Sequence, residues 1–263
     1  MSKEEKKKKN KGGENLAEGT LISHLLELRD RLVKAVAGVF LLLVPAIYFK
    51  DALFSGLVRP LLANMQVGDQ LIATSPMAGF MMPIKLGFFM ALFAAMPWVL
   101  YQIWAFVAPG LYRKEKRFAV PLLLSSIVLF YVGMAFAYFV VFDMAFHFLM
   151  GATPEDVANM QDINLVLNFV LATFLAFGIA FEVPVVVMLL VLTGLVTTDK
   201  IAASRGYVII GVFVAAAVLT PPDPVSQILM AVPMWLLFEA GLLMARMLLR
   251  PAKTKEADSD GPA

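Results

Sequence analysis

From Thr20 to Met244 the chain alternates long apolar blocks with short polar connections. A short stretch comes first, in which Leu21, Leu25, Leu28 and Leu32 recur at helical spacing. This pattern predicts an amphipathic helix with Thr20 as its N-cap, lying at the membrane surface. It leads directly into a first apolar span, Leu32–Phe49. Further spans follow over Pro83–Phe106, Phe118–Phe142, Ile163–Val196, Gly206–Leu219 and Val225–Met244. A helix crossing a bilayer needs about 20 residues, and five of the six blocks approach or exceed that length. The block at Gly206–Leu219 reaches only about 21 Å at 1.5 Å per residue. With the last block it forms either a buried hairpin or a pair of crossings that thins the bilayer locally. The acidic turn between them, free of Lys and Arg, favours crossing.

Charge sets the orientation. Lys and Arg gather in the N-terminal stretch and its helix, in the 113–117 loop, in the 199–205 loop and after Met244, which together hold nineteen of the 22. The other side carries Lys50, Arg59 and Lys85, and its 143–162 loop has no basic residue. By the excess of basic residues on the inner side, both termini and two loops face the cytoplasm. The expected fold is therefore all-α and polytopic, with six transmembrane helices. Residues 1–19 read as a disordered charged tail, 20–246 as the membrane domain and 247–263 as a second cytoplasmic tail.

Composition narrows the function. Hydrophobic residues make up 60% of the chain and charged residues 16%, against about 25% charged in soluble domains. There is no cysteine, and His24 and His147 are the only histidines. Disulfides, thiolate chemistry and multi-histidine metal sites are therefore excluded, and no cofactor is expected. The lysine run at 6–9 is followed by polar residues rather than a short apolar core, so the N-terminus does not read as a cleavable signal peptide. No phosphate-binding glycine loop, nucleophile elbow or H-E-x-x-H motif is present, which argues against nucleotide-driven and common hydrolytic enzymes. Nothing points to nucleic acid.

Three glutamates are candidate functional groups. Glu27 lies in His-Leu-Leu-Glu-Leu-Arg-Asp-Arg and Glu115 in Leu-Tyr-Arg-Lys-Glu-Lys-Arg, both on the basic side. Each has two readings. Glu27 is either an i,i+4 partner of Arg31 or an acceptor for a cationic ligand. Glu115 either balances charge in a basic loop or serves the same ligand. Glu182 falls within an apolar span, where an ionised acid costs at least about 2.5 kcal/mol. It reads as a polar pocket or partner contact more readily than as a structural group beside Pro184. Lys85 and Glu239 lie near span ends and read as structural. The span prolines, Pro97 among them, read as shaping kinks. A proton-coupled solute transporter using Glu182 remains the rival class.

The motifs combine in order. His24-Leu-Leu-Glu-Leu-Arg29, Pro83-Ile-Lys-Leu86, Tyr101-Gln-Ile-Trp-Ala-Phe-Val-Ala-Pro109, Leu111-Tyr-Arg-Lys-Glu115, Phe181-Glu-Val-Pro184 and Leu219-Thr-Pro-Pro-Asp223 succeed one another along residues 20–246. This set resembles TatC, the core subunit of the twin-arginine protein translocase. The 133–141 stretch is similar to the proteobacterial branch. The resemblance implies a concave cup of six tilted helices in the inner membrane. It implies binding of twin-arginine signal peptides and assembly with the single-span subunits TatB and TatA in a multimeric receptor complex. Folded proteins would be exported on the proton-motive force. By position it implies that Glu27 and Glu115 receive the signal peptide, with Arg29 and Phe106 in the same patches, and that Glu182 is the intramembrane acid. Thr220 and Gln227 match partner-helix docking positions, and Pro60 and Pro97 match prolines of structural or functional weight. Ala217 departs from relatives that carry a larger Met there.

Overall fold

The structure, a computed structural model, describes residues 3–65, 70–107, 119–151, 160–219 and 224–248, with side chains from Ile22 onward. It is helical almost throughout. Helices α1 (Lys3–Tyr48), α2 (Lys50–Asn64), α3 (Pro76–Val107), α4 (Ala119–Phe136), α5 (Phe142–Gly151), α6 (Ile163–Leu192), α7 (Thr198–Ala203), α8 (Arg205–Leu219) and α9 (Pro224–Leu248) follow one another. A π-helical turn, Ala137–Val141, joins α4 to α5. Two short strands, β1 (Gln70–Ile72) and β2 (Met160–Asp162), pair as a two-stranded sheet.

Five helices among the described residues are long and apolar enough to cross a membrane: Ile22–Tyr48, Pro76–Val107, Ala119–Phe148, Ile163–Leu192 and Gln227–Met247. The expectation of six is corrected to five of full length, because the remaining segment, Arg205–Val218, is a shorter apolar helix. The backbone of α1 is helical from Lys3. The change at Thr20 is thus one of composition and not of backbone geometry. The connection at 50–82 holds one short helix, α2, and the strand β1, whose partner β2 lies ninety residues along the chain.

By internal contacts the chain divides into two compact units. The first comprises Met1–Arg59, Leu71–Ile127 and Gln161–Leu167. Its centre is the antiparallel pairing of α1 and α3. Gly38 meets Trp98, so that a Cβ built there would lie 2.4 Å from the indole Cδ1. The absence of a side chain lets the indole lie on the helix and donate from Nε1 to the Lys34 carbonyl at 2.9 Å. Val39, Ala91 and Ala95 are buried beside it. Lipid tails are as apolar as leucine, so helices in a bilayer adhere through close packing and small residues. Outside that seam α1 presents large apolar side chains, including Phe40, Leu41 and Val44, as a lipid-facing surface requires. Between α3 and α4, Trp104 donates to the Ser126 hydroxyl at 3.2 Å, so both buried polar groups are satisfied.

Asp162 caps α6 in the same unit. Its Oδ1 accepts from the Asn164 backbone N–H at 2.8 Å, and its Oδ2 accepts from the Thr74 hydroxyl. One carboxylate thus closes a helix start and ties it to the segment after β1.

The second unit comprises Pro60–Gln70, Val128–Met160 and Asn168–Ala263. Aromatic rings join the helices on either side of the π-helical turn to α6. Phe136 packs on Phe177 and Phe181, Tyr138 stacks on Phe174, and Phe142 meets Phe169 and Phe174. A second cluster, Val187, Ile201, Phe238, Leu242 and Ala245, joins α6, α7 and α9. There Gly241 lies so close to α6 that a Cβ would come within 2.6 Å of the Pro184 Cα.

Two predictions follow from this packing. Gly241→Ala must displace backbone and is expected to cost about 1–3 kcal/mol. Gly56→Ala, where nothing lies within 4 Å of the new Cβ, is expected to be neutral or to stabilise by up to about 1 kcal/mol. Unfolding in detergent micelles separates the two, and equal midpoints would refute the close contact at Pro184. The second concerns acid. Hydrogen bonds from Thr74 and from the Asn164 N–H hold the Asp162 carboxyl below its ordinary range. Its contribution is present above the usual carboxylate pKa of about 4 and is lost as pH falls through the lowered folded value. Asp162→Asn should therefore lower thermal stability at neutral pH and flatten its decline in acid.

Candidate binding surface at the basic ends of the helices

The middle of α1, the end of α3 and one loop carry the sequence candidates for ligand binding. His24, near the start of the described side chains of α1, stacks on Phe106 at the end of α3, with ring centroids 4.3 Å apart and planes 22° apart. The antiparallel α1–α3 pairing brings these rings together. Glu27 follows His24 by three residues, so it lies nearly one turn along α1.

The Glu27 carboxylate is already engaged. Its Oε1 accepts from Arg31 Nε at 2.9 Å and from Nη2 at 2.7 Å. Arg29 and Asp30 form their own pair, with Nη2 to Oδ1 at 2.8 Å. The i,i+4 reading of Glu27 is therefore present in the structure. It does not exclude the ligand reading. Oε2 takes no hydrogen bond from the described residues, and the Glu27 side chain is 36% exposed. Ion pairs of this kind contribute about 0.3–0.5 kcal/mol, so an incoming guanidinium can share or displace Arg31 at little cost.

Glu115 lies outside the described residues, as do Thr220 and the whole 108–118 connection. That connection leaves α3 at Val107, one residue beyond Phe106. Phe106 is placed by the structure, and Arg29 is exposed and paired to its neighbour.

Glu182 is half-buried in α6 with its Oε1 buried, two residues before the Pro184 that Gly241 abuts. Gln227 is used within the chain, because its Nε2 donates to the Phe213 carbonyl at 3.0 Å and links α9 to α8. Ala217, next to the buried Ala216 of α8, is exposed. Pro97 lies inside α3 immediately before Trp98, and Pro60 lies inside α2. Among the described residues no group of acids and histidines could hold a metal ion.

Glu239 has a role that span position alone did not reveal. It takes a two-pronged contact from Arg205, Nε to Oε1 at 2.5 Å and Nη2 to Oε2 at 2.9 Å. The two residues are 34 apart in sequence, and the only signal was an acid and an arginine at corresponding ends of adjacent apolar blocks.

Comparison with known proteins places these features in a family. The model for "TatC: Sec-independent protein translocase protein (TatC)" matches residues 23–233. A Sec-independent protein translocase protein TatC from Azotobacter chroococcum is 50% identical, covering 92% of this chain and 94% of its own length. The TatC of Haemophilus influenzae is 48% identical over 86% of this chain and 88% of its own. That of Escherichia coli strain K12 is 44% identical over 90% of this chain and 92% of its own. A crystal structure described as the twin arginine translocase receptor TatC superposes with a TM-score of 0.80 at 37% identity, covering 86% of this chain and all of that one.

Proposed function

Because this chain belongs to the TatC family of Sec-independent protein translocase proteins, we propose that it is the signal-peptide receptor and core membrane subunit of a twin-arginine translocase. The observation that carries this reading is the extent of the likeness, which runs from the helix bearing Glu27 into α9 as far as Pro233 and covers 86% of the chain in the structural superposition. The chain is a polytopic membrane protein and a translocase component, not an enzyme. Family membership also sets aside the rival reading of a proton-coupled solute transporter.

The protein lies in the inner membrane with both termini cytoplasmic, since nineteen of its 22 basic residues fall on that side. The short α8 makes a sixth crossing, and the helices form a cup. Single-span TatA and TatB subunits assemble with it, using the α8–α9 region around Thr220 and Gln227, within a multimeric receptor complex. The assembly exports folded precursors on the proton-motive force. Glu182 supplies a polar contact within the membrane.

Recognition rests on carboxylates among cations. A guanidinium is a planar fork that matches a carboxylate with two parallel hydrogen bonds, and an ammonium is not. Glu27 has one oxygen open, and with Glu115 as a second acceptor two acids can meet two arginines. The surrounding Lys and Arg repel a cation that arrives without the fork to engage these acids. Pairing selectivity then comes from geometry rather than net charge.

Site-specific crosslinking of a twin-arginine signal peptide in membranes containing all three subunits tests this. Glu27→Gln and Glu115→Gln should each lower crosslinking about tenfold, the loss of one charge-assisted bond of roughly 1.5 kcal/mol. The combined variant should lose less than the product of the two, because the acids share one ligand. A Lys-Lys peptide should bind more weakly than Arg-Arg. Undiminished crosslinking in correctly inserted Glu115→Gln would refute the assignment.

A further inference from the structure

The stack of His24 on Phe106 occupies one face of the imidazole. The ring centroids are 4.3 Å apart and the planes 22° apart, yet His24 is an exposed residue. Its second face is therefore turned to the surroundings. No other aromatic side chain occurs on α1 before Phe40, so this ring is the one planar group that α1 itself places near Glu27.

His24, Glu27 and Arg31 fall at i, i+3 and i+7 and so share one face of α1. Glu27 stands between the other two. Arg31, on its C-terminal side, takes Oε1 with Nε and Nη2 at 2.9 and 2.7 Å. His24, on its N-terminal side, is about 4.5 Å away along the axis. Helical side chains lean toward the N-terminus, which carries the Glu27 side chain back over the turn of His24. A guanidinium that engages Glu27 from the side away from Arg31 thus comes to the imidazole. Attraction between a cation and a ring operates within about 6 Å of the centroid, and residues at i and i+3 have Cβ atoms about 5–6 Å apart.

We propose that His24 is a specificity-determining residue of the signal-peptide site, its uncovered face stacking on the guanidinium that Glu27 receives. This role rests on the reading of Glu27 as an arginine acceptor and adds a second source of selectivity to it. The carboxylate meets the edge of the guanidinium, and the ring meets its face. A planar, weakly hydrated cation satisfies both at once, whereas an ammonium has no plane to lay on a ring. Phe106 makes the platform effective. It holds the plane of a side chain that would otherwise rotate at an exposed position, so less rotamer freedom is lost on binding. A ring that only fixed α1 against α3 would affect every ligand alike. A platform affects arginine alone.

Photocrosslinking of Arg-Arg and Lys-Lys signal peptides, in membranes containing the full-length chain with TatA and TatB, provides the test. His24→Leu keeps an apolar contact on Phe106 and removes the plane. It should lower Arg-Arg crosslinking about threefold, as expected for a cation–aromatic contact at an exposed site, and leave Lys-Lys crosslinking unchanged. His24→Phe keeps a ring on Phe106 and should retain the native Arg-to-Lys ratio. The threefold effect of His24→Leu should vanish in a Glu27→Gln background, where the guanidinium is no longer held at the ring. An unchanged Arg-to-Lys ratio in His24→Leu would overturn the proposal, whether both peptides are retained or both decline. So would the same threefold effect with Glu27→Gln present. Glu27→Gln alone separates the two roles. Full Arg-Arg crosslinking in that variant refutes Glu27 as the acceptor, whereas a loss there with an unchanged ratio in His24→Leu refutes only the platform.

Discussion

Inside hydrocarbon no water is available to complete a backbone hydrogen bond, and no hydrophobic force drives one apolar helix onto another. The helices satisfy the first constraint by themselves. The second leaves close contact as the main source of cohesion, and the structure meets it by removing side chains where helices touch. Gly38 makes room for the Trp98 indole on α1, and Gly241 lets α9 approach the Pro184 backbone of α6. The indole adds a hydrogen bond to a carbonyl that the helix already uses. It can do so only because the ring lies against bare backbone. Each unit is thus organised around a seam where the smallest residue faces one of the most rigid.

Charge follows a different rule in the two units. The Glu27–Arg31 pair lies on one helix and is partly exposed, so it holds nothing together that the helix does not already hold. Such a pair is suited to exchange. The Arg205–Glu239 pair joins two helices and uses both carboxylate oxygens. A two-pronged contact at the start of a 15-residue helix fixes both position and rotation. That matters for α8, which spans only about 22 Å and cannot be held in place by matching the thickness of the bilayer.

The apolar blocks were legible because about twenty uncharged residues in succession have few other uses in a protein. Their ends were less so. The third block continues past Phe142 to Phe148, since Asp143 sits near a helix end where its charge is tolerated. Within the 50–82 connection it was β1 that stayed hidden. Strand pairing between residues 70–72 and 160–162 depends on a partner far along the chain, and no local periodicity announces it. In sequence Asp162 is one acid at the end of the 143–162 loop, and only the structure shows that it caps α6 and accepts from Thr74. Glu27 is the instructive case. Its spacing offered an ion pair and a ligand site as alternatives, and the structure shows the pair while leaving the second oxygen open.

That open oxygen bears on how a receptor with so many cations can bind a cationic peptide. A carboxylate fully enclosed by arginines would have to break strong contacts before accepting another. One held through a single oxygen, by a neighbour four residues away, stays oriented and remains available. Arg31 fixes the plane of the Glu27 carboxylate in advance, which lowers the conformational entropy lost on binding. In that role the same cations would discourage stray lysines, because an ammonium gains only a point contact and meets the same repulsion. Under the proposed role of Glu27, pre-orientation by one arginine and selection for another would be two effects of a single placement, and both would depend on α1 remaining helical through residues 24–31.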